Sequence, residues 1–170
     1  LNCLGEVAVS LDEDELRGAI GEQLSRHSVL TLATAQGGEP HAVSLMYAYL
    51  GFDVFWLSDP KTRHSRHLDS GGLAAVTIAR QYDDFKNIQG LQMTGIGRRL
   101  TGEEESERLE LLAARYAFLR EFAQDTLAGH LGAAGVYQFC PSTVTLIDNS
   151  RGFGFKQTLV LRPRADTPAR

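Results

Sequence analysis

Residues 56–68 read Trp-Leu-Ser-Asp-Pro-Lys-Thr-Arg-His-Ser-Arg-His-Leu, and this run holds the side chains best suited to chemistry. Asp59-Pro60 signals a helix start, with Asp59 as N-cap and Pro60 in the first turn. A helix N-terminus offers unpaired N–H groups and a partial positive charge, which together favour an anion. Ser58 and Thr62 add hydroxyl donors, and Arg63 adds a planar fork that matches phosphate. Lys61, His64, Arg66 and His67 complete a basic cluster sized for one small anion rather than a nucleic-acid duplex. The competing reading is a solvated first helical turn, where basic residues are common.

Other residues carry weaker signals. His64 and His67 stand three apart, a spacing that some metal sites use, but no suitable third ligand lies nearby in sequence and no metal is expected. Cys140, just before Pro141, reads as a buried thiol rather than a nucleophile. Trp56 fits barrel core or an interface. Phe153 and Phe155 fit a ligand cover and terminal-strand packing equally well. Tyr82-Asp83-Asp84 reads as a polar turn or a gate, Lys86 as a solvated cation, and Glu103–Glu105 as a complement to a helix dipole.

The elements that must position the 56–68 run follow from periodicity. A helix is expected over about 10–26, with a Ser10/Glu13 capping box and an apolar stripe of Leu16, Ile20 and Leu24. Strands follow at 27–35, 40–50 and 52–58, the first two joined at Gly37-Gly38. The Asp59 helix should stop near Leu68. Further strands are expected at 73–80 and 88–100, where glycines at 90, 95 and 97 suggest bulges or tight curvature. A second capping box, Thr101/Glu104, opens the longest helix, with a stripe of Leu109, Leu112, Tyr116, Leu119 and Ala123. A loop at 129–135, strands at 136–140, 144–148 and 155–161, and a tail at 162–170 complete the chain. With no repeat or linker, residues 1–170 read as one domain, core about 14–162. Bunched strands with intervening helices point to a mainly β antiparallel barrel flanked by α-helices.

Composition sets limits. A chain of 170 residues can bury its own core. A net charge of −4 argues against nucleic acid as main partner. Two cysteines, Cys3 and Cys140, are too few for a disulfide-framed fold, although one bridge is open to them. No apolar run reaches membrane-spanning length and no signal-peptide pattern opens the chain, so a cytoplasmic, membrane-free protein is expected.

The order LATAQGGEPHAVSLMYAYL, a strand ending in SDPKTRH, LAAVTIA, then a strand closing on TGIGRRL resembles the pyridoxamine 5'-phosphate oxidase-like FMN-binding split barrels. The run DNSRGFGFK, residues 148–156, resembles a small, poorly characterised bacterial branch with a DN-x-x-GFG-x-K pattern. The likeness spans about residues 14–162. It implies an antiparallel split β-barrel that holds FMN at a homodimer interface, with Ser58, Lys61, Thr62, Arg63 and His64 at the flavin phosphate. It implies that Val43, Ser44, Leu45, Met46 and Tyr47 run beside the ring, and that Gln89, Gln92 and Lys156 approach the cofactor, Lys156 or a glutamine from the neighbouring subunit. His64 stands where the family has Lys, His41-Ala42 where its oxidases carry Arg, and Gly90 where they place a phosphate-touching Gln. The implied activity is an FMN-dependent oxidoreduction of a small molecule, not pyridoxamine phosphate oxidation. The alternatives are a non-enzymatic flavin or phosphate-ligand binder and a haem-binding split barrel.

Overall fold

Alternating apolar residues make β1 (Val29–Gln36), and β2 (Glu39–Met46) returns antiparallel to it, pairing Gln36 with Glu39 through Val29 with Met46. Gly37 and Gly38 take φ of 59° and 82°, the positive values that a two-residue type I′ hairpin needs. The computed structural model describes residues 9–122 and 134–162. The remaining elements are α1 (Glu13–Arg26), β3 (Ala48–Leu50), β4 (Asp53–Ser58), α2 (Arg63–Gly71), β5 (Leu73–Ala79), β6 (Gln89–Arg99), α3 (Gly102–Arg115), α4 (Phe118–Phe122), β7 (Gly135–Asp148) and β8 (Lys156–Val160).

The strands form one antiparallel sheet in the order β2-β1-β5-β6-β7-β4-β3, with β8 added to the far half of β7. Its two end strands, β2 and β3, are separated in sequence by Tyr47 alone. The sheet must therefore curl until its ends meet in one bent segment, and the ladder is interrupted there: a split barrel. Tyr47 is pinned at the bend. Its hydroxyl donates to the Leu24 carbonyl (2.9 Å), and its own carbonyl accepts from the Tyr116 hydroxyl (2.6 Å). Burial pushes the Tyr47 phenol pKa up.

Inward residues of the barrel, among them Leu32, Trp56, Ile78, Leu91, Tyr137 and Phe139, pack with Leu16, Ile20 and Leu24 of α1. Each such buried side chain contributes roughly 1.5–3 kcal/mol. A second cluster joins Phe55 and Val136 on the outside of β4 and β7 to Leu112 of α3 and to Tyr116. Among the described helices none is long and apolar enough to cross a membrane.

Several elements differ from the sequence pattern. The capping box of α1 is Asp12/Glu15, not Ser10/Glu13, two residues earlier. Thr101 makes no side-chain cap, and the Glu104 carboxylate that would complete the box is taken by a bidentate pair with Arg98 at 3.0 Å. The helix expected to run to Ala123 breaks at Tyr116, which turns extended, and Leu109 of its expected stripe is exposed. Ala123 and Cys3 lie outside the described residues. The strands expected at 136–140 and 144–148 are one strand, bulged opposite Thr94/Gly95.

At that bulge β6 and β7 touch backbone to backbone. A Cβ on Gly95 would overlap the Cys140 carbonyl and lie 2.7 Å from Pro141 Cα. Gly95→Ala is expected to cost about 1–3 kcal/mol, the range for forced overpacking. Urea unfolding of the variant measures this, and a midpoint equal to wild type would show that the two strands can separate freely there.

Candidate functional site

The turn after β4 brings the predicted phosphate residues together. Asp59 is not the helix cap. Its carboxylate accepts from the Lys61 N–H (2.7 Å) and its carbonyl from the Thr62 N–H (3.0 Å), closing a turn that delays the helix to Arg63. Thr62 takes the N-cap position but makes no side-chain cap. The first intrahelical bond runs from the Arg66 N–H to the Thr62 carbonyl (3.1 Å). The amides of Arg63, His64 and Ser65 precede it, and such N–H groups are the natural donors to an anion.

Thr62 spends its hydroxyl elsewhere. It lies 2.8 Å from the Asp59 carbonyl and 2.8 Å from the Ser65 hydroxyl, with one proton to share between them. Ser58 lies 2.7 Å from Nε2 of His64, 3.1 Å from Thr62 and 3.3 Å from Ser65. Ser58, His64 and Ser65 are all buried. This ring of bonds contains no carboxylate and no cation, so every member is satisfied in its neutral form. Burial, then the neighbouring His41 and His67, hold the His64 pKa below its usual value. His64 therefore does not supply the lysine-like charge expected of that position.

Two further imidazoles complete the site. His41, on β2, stacks on His64 with centroids 6.1 Å apart and planes within 5°, and meets His67 edge-on, also at 6.1 Å. Nδ1 of His67 lies 3.1 Å from the Thr34 hydroxyl of β1. Burial, then Arg63 and His41, lower the His67 pKa as well. No group of three His, Cys, Asp or Glu among the described residues is arranged to hold a metal. The permanent charge at the rim is Arg63, which is half-exposed and paired with Glu39 at 2.6 Å. Lys61 is exposed.

The remaining predicted residues divide. Val43 and Leu45 are half-buried and pack against the barrel core, Ser44 and Met46 are exposed on the opposite face, and Tyr47 is the buried pin of the bend. Gln92 is exposed on β6. Gln89 donates to Asp148 (2.9 Å), and Lys156 stands on β8 opposite Ile147. Ile147 lies ten residues along β7 from Tyr137, which pairs with Trp56 beside the α2 turn, roughly 30 Å of strand. One chain thus does not bring Gln89 and Lys156 to α2.

The DN-x-x-GFG-x-K pattern builds that far corner. Burial alone would raise the Asp148 carboxyl pKa, but bonds from Ser150 and Gln89 and the charge of Arg151 outweigh it and hold it below the usual range. Asn149 ties the loop to the Phe85 turn through the Phe85 carbonyl (2.6 Å), and Phe85 and Phe153 meet edge to face at 5.5 Å. The sequence reading missed Thr34, Glu39 and Ser65 at the α2 site. The Gly37-Gly38 hairpin register, which sets Thr34 opposite His41, is the signal that leads to the first.

The residues fit the phosphate end of a flavin nucleotide by donor chemistry through the amides of Arg63, His64 and Ser65 and a guanidinium at the rim, while the Ser58, Thr62 and Ser65 hydroxyls are engaged with one another, with His64 and with the Asp59 carbonyl. Two buried polar atoms close by, Trp56 Nε1 and the Tyr137 hydroxyl, have no hydrogen bond of good geometry. Their rings stack at 6.1 Å. Ser58→Ala should cost about 1–3 kcal/mol, because it strips the buried His64 imidazole of its shortest partner. Thermal unfolding reads this directly, and an unchanged melting temperature would mean that the ring of bonds stabilises nothing.

No family model matches the chain. The chain is 31% identical over 140 residues to the UPF0306 protein YhbP of Salmonella schwarzengrund, covering 81% of this chain and 88% of that protein. It is 29% identical over 144 residues to a UPF0306 protein of Klebsiella pneumoniae, covering 84% and 91%. Among solved structures, a haem-binding protein from Mycobacterium smegmatis superposes with a TM-score of 0.68 at 19% identity, over 89% of this chain and 59% of that one. A candidate pyridoxamine 5'-phosphate oxidase from Listeria innocua superposes with a TM-score of 0.62 at 20% identity, over 80% and 100%. The haem storage protein HutZ from Vibrio cholerae gives 0.61 at 13% identity, over 84% and 92%. The chain belongs to the UPF0306 family and has the split-barrel fold of the pyridoxamine 5'-phosphate oxidase-like proteins.

Proposed function

We propose that this protein binds FMN by its phosphate at the N-terminus of α2 and acts as an FMN-dependent oxidoreductase on a small molecule. The observation that carries the reading is the set of open amides at Arg63, His64 and Ser65, ringed by hydroxyls and flanked by Arg63. FMN, once bound, supplies the electron or hydride chemistry itself, so the protein needs no nucleophile of its own. Arg63 exchanges Glu39 for a phosphate oxygen, the amides donate to the remaining phosphate oxygens, and β2 from Val43 to Tyr47 lies beside the ring.

The pocket is completed by a second copy. The outward face of the sheet carries Ala33, Ala42, Ser44, Thr77, Gln92 and Thr158, with Leu73 and Val160 58% and 73% exposed. The six side chains named first carry no formal charge, and the small ones among them let two such faces meet closely. A self-complementary contact would bring Gln92 and Lys156 of the partner towards the cofactor, and one chain alone does not bring Lys156 there.

A haem ligand is the second reading. The half-buried His41 imidazole has no hydrogen-bond partner among the described residues, which suits an iron ligand. An intense Soret band lost in His41→Ala would favour it over flavin.

Fluorescence titration tests the main reading. FMN should bind at least tenfold more tightly than riboflavin, and Arg63→Ala should erase about tenfold of FMN affinity, the size of one charge-assisted bond at a half-exposed site. Equal affinity for FMN and riboflavin would remove the phosphate from α2. Ala33→Glu, which sets two like charges against each other in a symmetric contact, should shift the protein to monomer in analytical ultracentrifugation. A variant that sediments like a dimeric wild type would put the interface elsewhere.

A further inference from the structure

Where a phosphate site commonly relies on fixed charge, this one places two imidazoles, His64 and His67, each with its ring centroid 6.1 Å from that of His41. His64 occupies the second position of α2, at the positive end of the helix dipole, where a protonated side chain is disfavoured until an anion arrives. The one carboxylate that favours a proton on His67, Glu39, is not enough to offset burial and the arginines, and the His67 pKa stays lowered. From β2 come His41 and Glu39, the latter engaged by Arg63. β1 presents the neutral Thr34, β4 the neutral Ser58, and β7 Tyr137, which faces Ser65. From α2 come Arg63 and Arg66, and both disfavour a proton on His67.

We propose that anion binding here is coupled to proton uptake: a phosphate monoester seated on the α2 amides draws a proton from solvent onto the His41–His64–His67 cluster. The inference rests on the phosphate reading of that helix end. Protonated His64 donates from Nε2 to Ser58. Ser58, no longer needed as a donor to the imidazole, turns its proton to Thr62, and the hydroxyl ring can then point a donor at the ligand. The free-state directions agree: burial, then the neighbouring imidazoles, lowers the His64 pKa, and burial, then Arg63, lowers that of His67. The sign follows from linkage. The complex holds more protons than the free protein between the free and bound pKa values, so affinity falls as the pH rises through that window.

The test is calorimetric titration of FMN into the full-length protein at pH 7.5, where the ligand phosphate is already a dianion, in two buffers of different ionisation enthalpy. The difference between the apparent binding enthalpies, divided by the difference between the two buffer ionisation enthalpies, should give a fraction of a proton up to about one proton taken up per site. His41→Asn should reduce that uptake, and this half-exposed, unbonded side chain can change without breaking the hydroxyl ring. In the wild type alone, FMN affinity should fall about three- to tenfold between pH 6.5 and 8. Binding with equal enthalpies in both buffers and a flat pH profile would overturn the coupling and leave the phosphate site standing. An absence of FMN binding at every pH would overturn the phosphate reading and the coupling with it.

Discussion

The site depends on the shortness of one turn. Residues 59–62 alone separate β4 from α2, so the helix must start against the end of the strand that precedes it. That brings His64 back onto Ser58 at 2.7 Å. The far end of α2 is equally constrained: Gly72 caps it through the Leu68 carbonyl (2.9 Å), and the Gly72 carbonyl accepts from the Gly97 N–H of β6 (2.6 Å). Held at both ends, the helix lies across one end of the barrel with its first amides at the edge. The inward face of its first two turns, His64, Ser65, His67 and Leu68, is buried, while Arg63 and Arg66 remain outside.

Burying polar groups at that junction is tolerated because they satisfy one another. Hydroxyls and neutral imidazoles exchange hydrogen bonds without stranding a charge, and a stranded charge would cost far more. The same neutrality sets the chemistry. An arginine or lysine at position 64 would carry its charge at all physiological pH values, whereas an imidazole carries it only when the surroundings reward it. The charge at position 64 is therefore set by its surroundings rather than by residue type alone.

Much of the fold was legible from periodicity. The hairpin at Gly37-Gly38, the apolar stripe of Leu16, Ile20 and Leu24, and the close approach at Gly95 all follow from local rules, and the structure has each of them. The errors came where two local patterns competed or where a distant partner intervened. Ser10/Glu13 and Asp12/Glu15 both satisfy the capping pattern, and only the second makes its bonds. Glu104 fits a box with Thr101, but Arg98 on β6 offers a charged partner that no local window reveals. Tyr116 leaves its helix with its hydroxyl fixed on the Ser28 and Tyr47 carbonyls. In the site, Ser58, Thr62 and His64 were legible because they lie within one turn of each other. Thr34, Glu39 and His41 reach it only through the register of β1 and β2, and Gln89, named by resemblance, bonds to Asp148 at the other end of β6.

The central claim is that an anion sits on the first turn of α2. Backbone amide chemical shifts, recorded while FMN is added to isotopically labelled protein, test it most directly. The largest shifts should fall on Arg63, His64 and Ser65, with a smaller response at His41 and its neighbours on β2. Shifts concentrated at the 148–156 corner, with the α2 amides unmoved, would contradict the account and move the ligand site to the opposite end of the sheet.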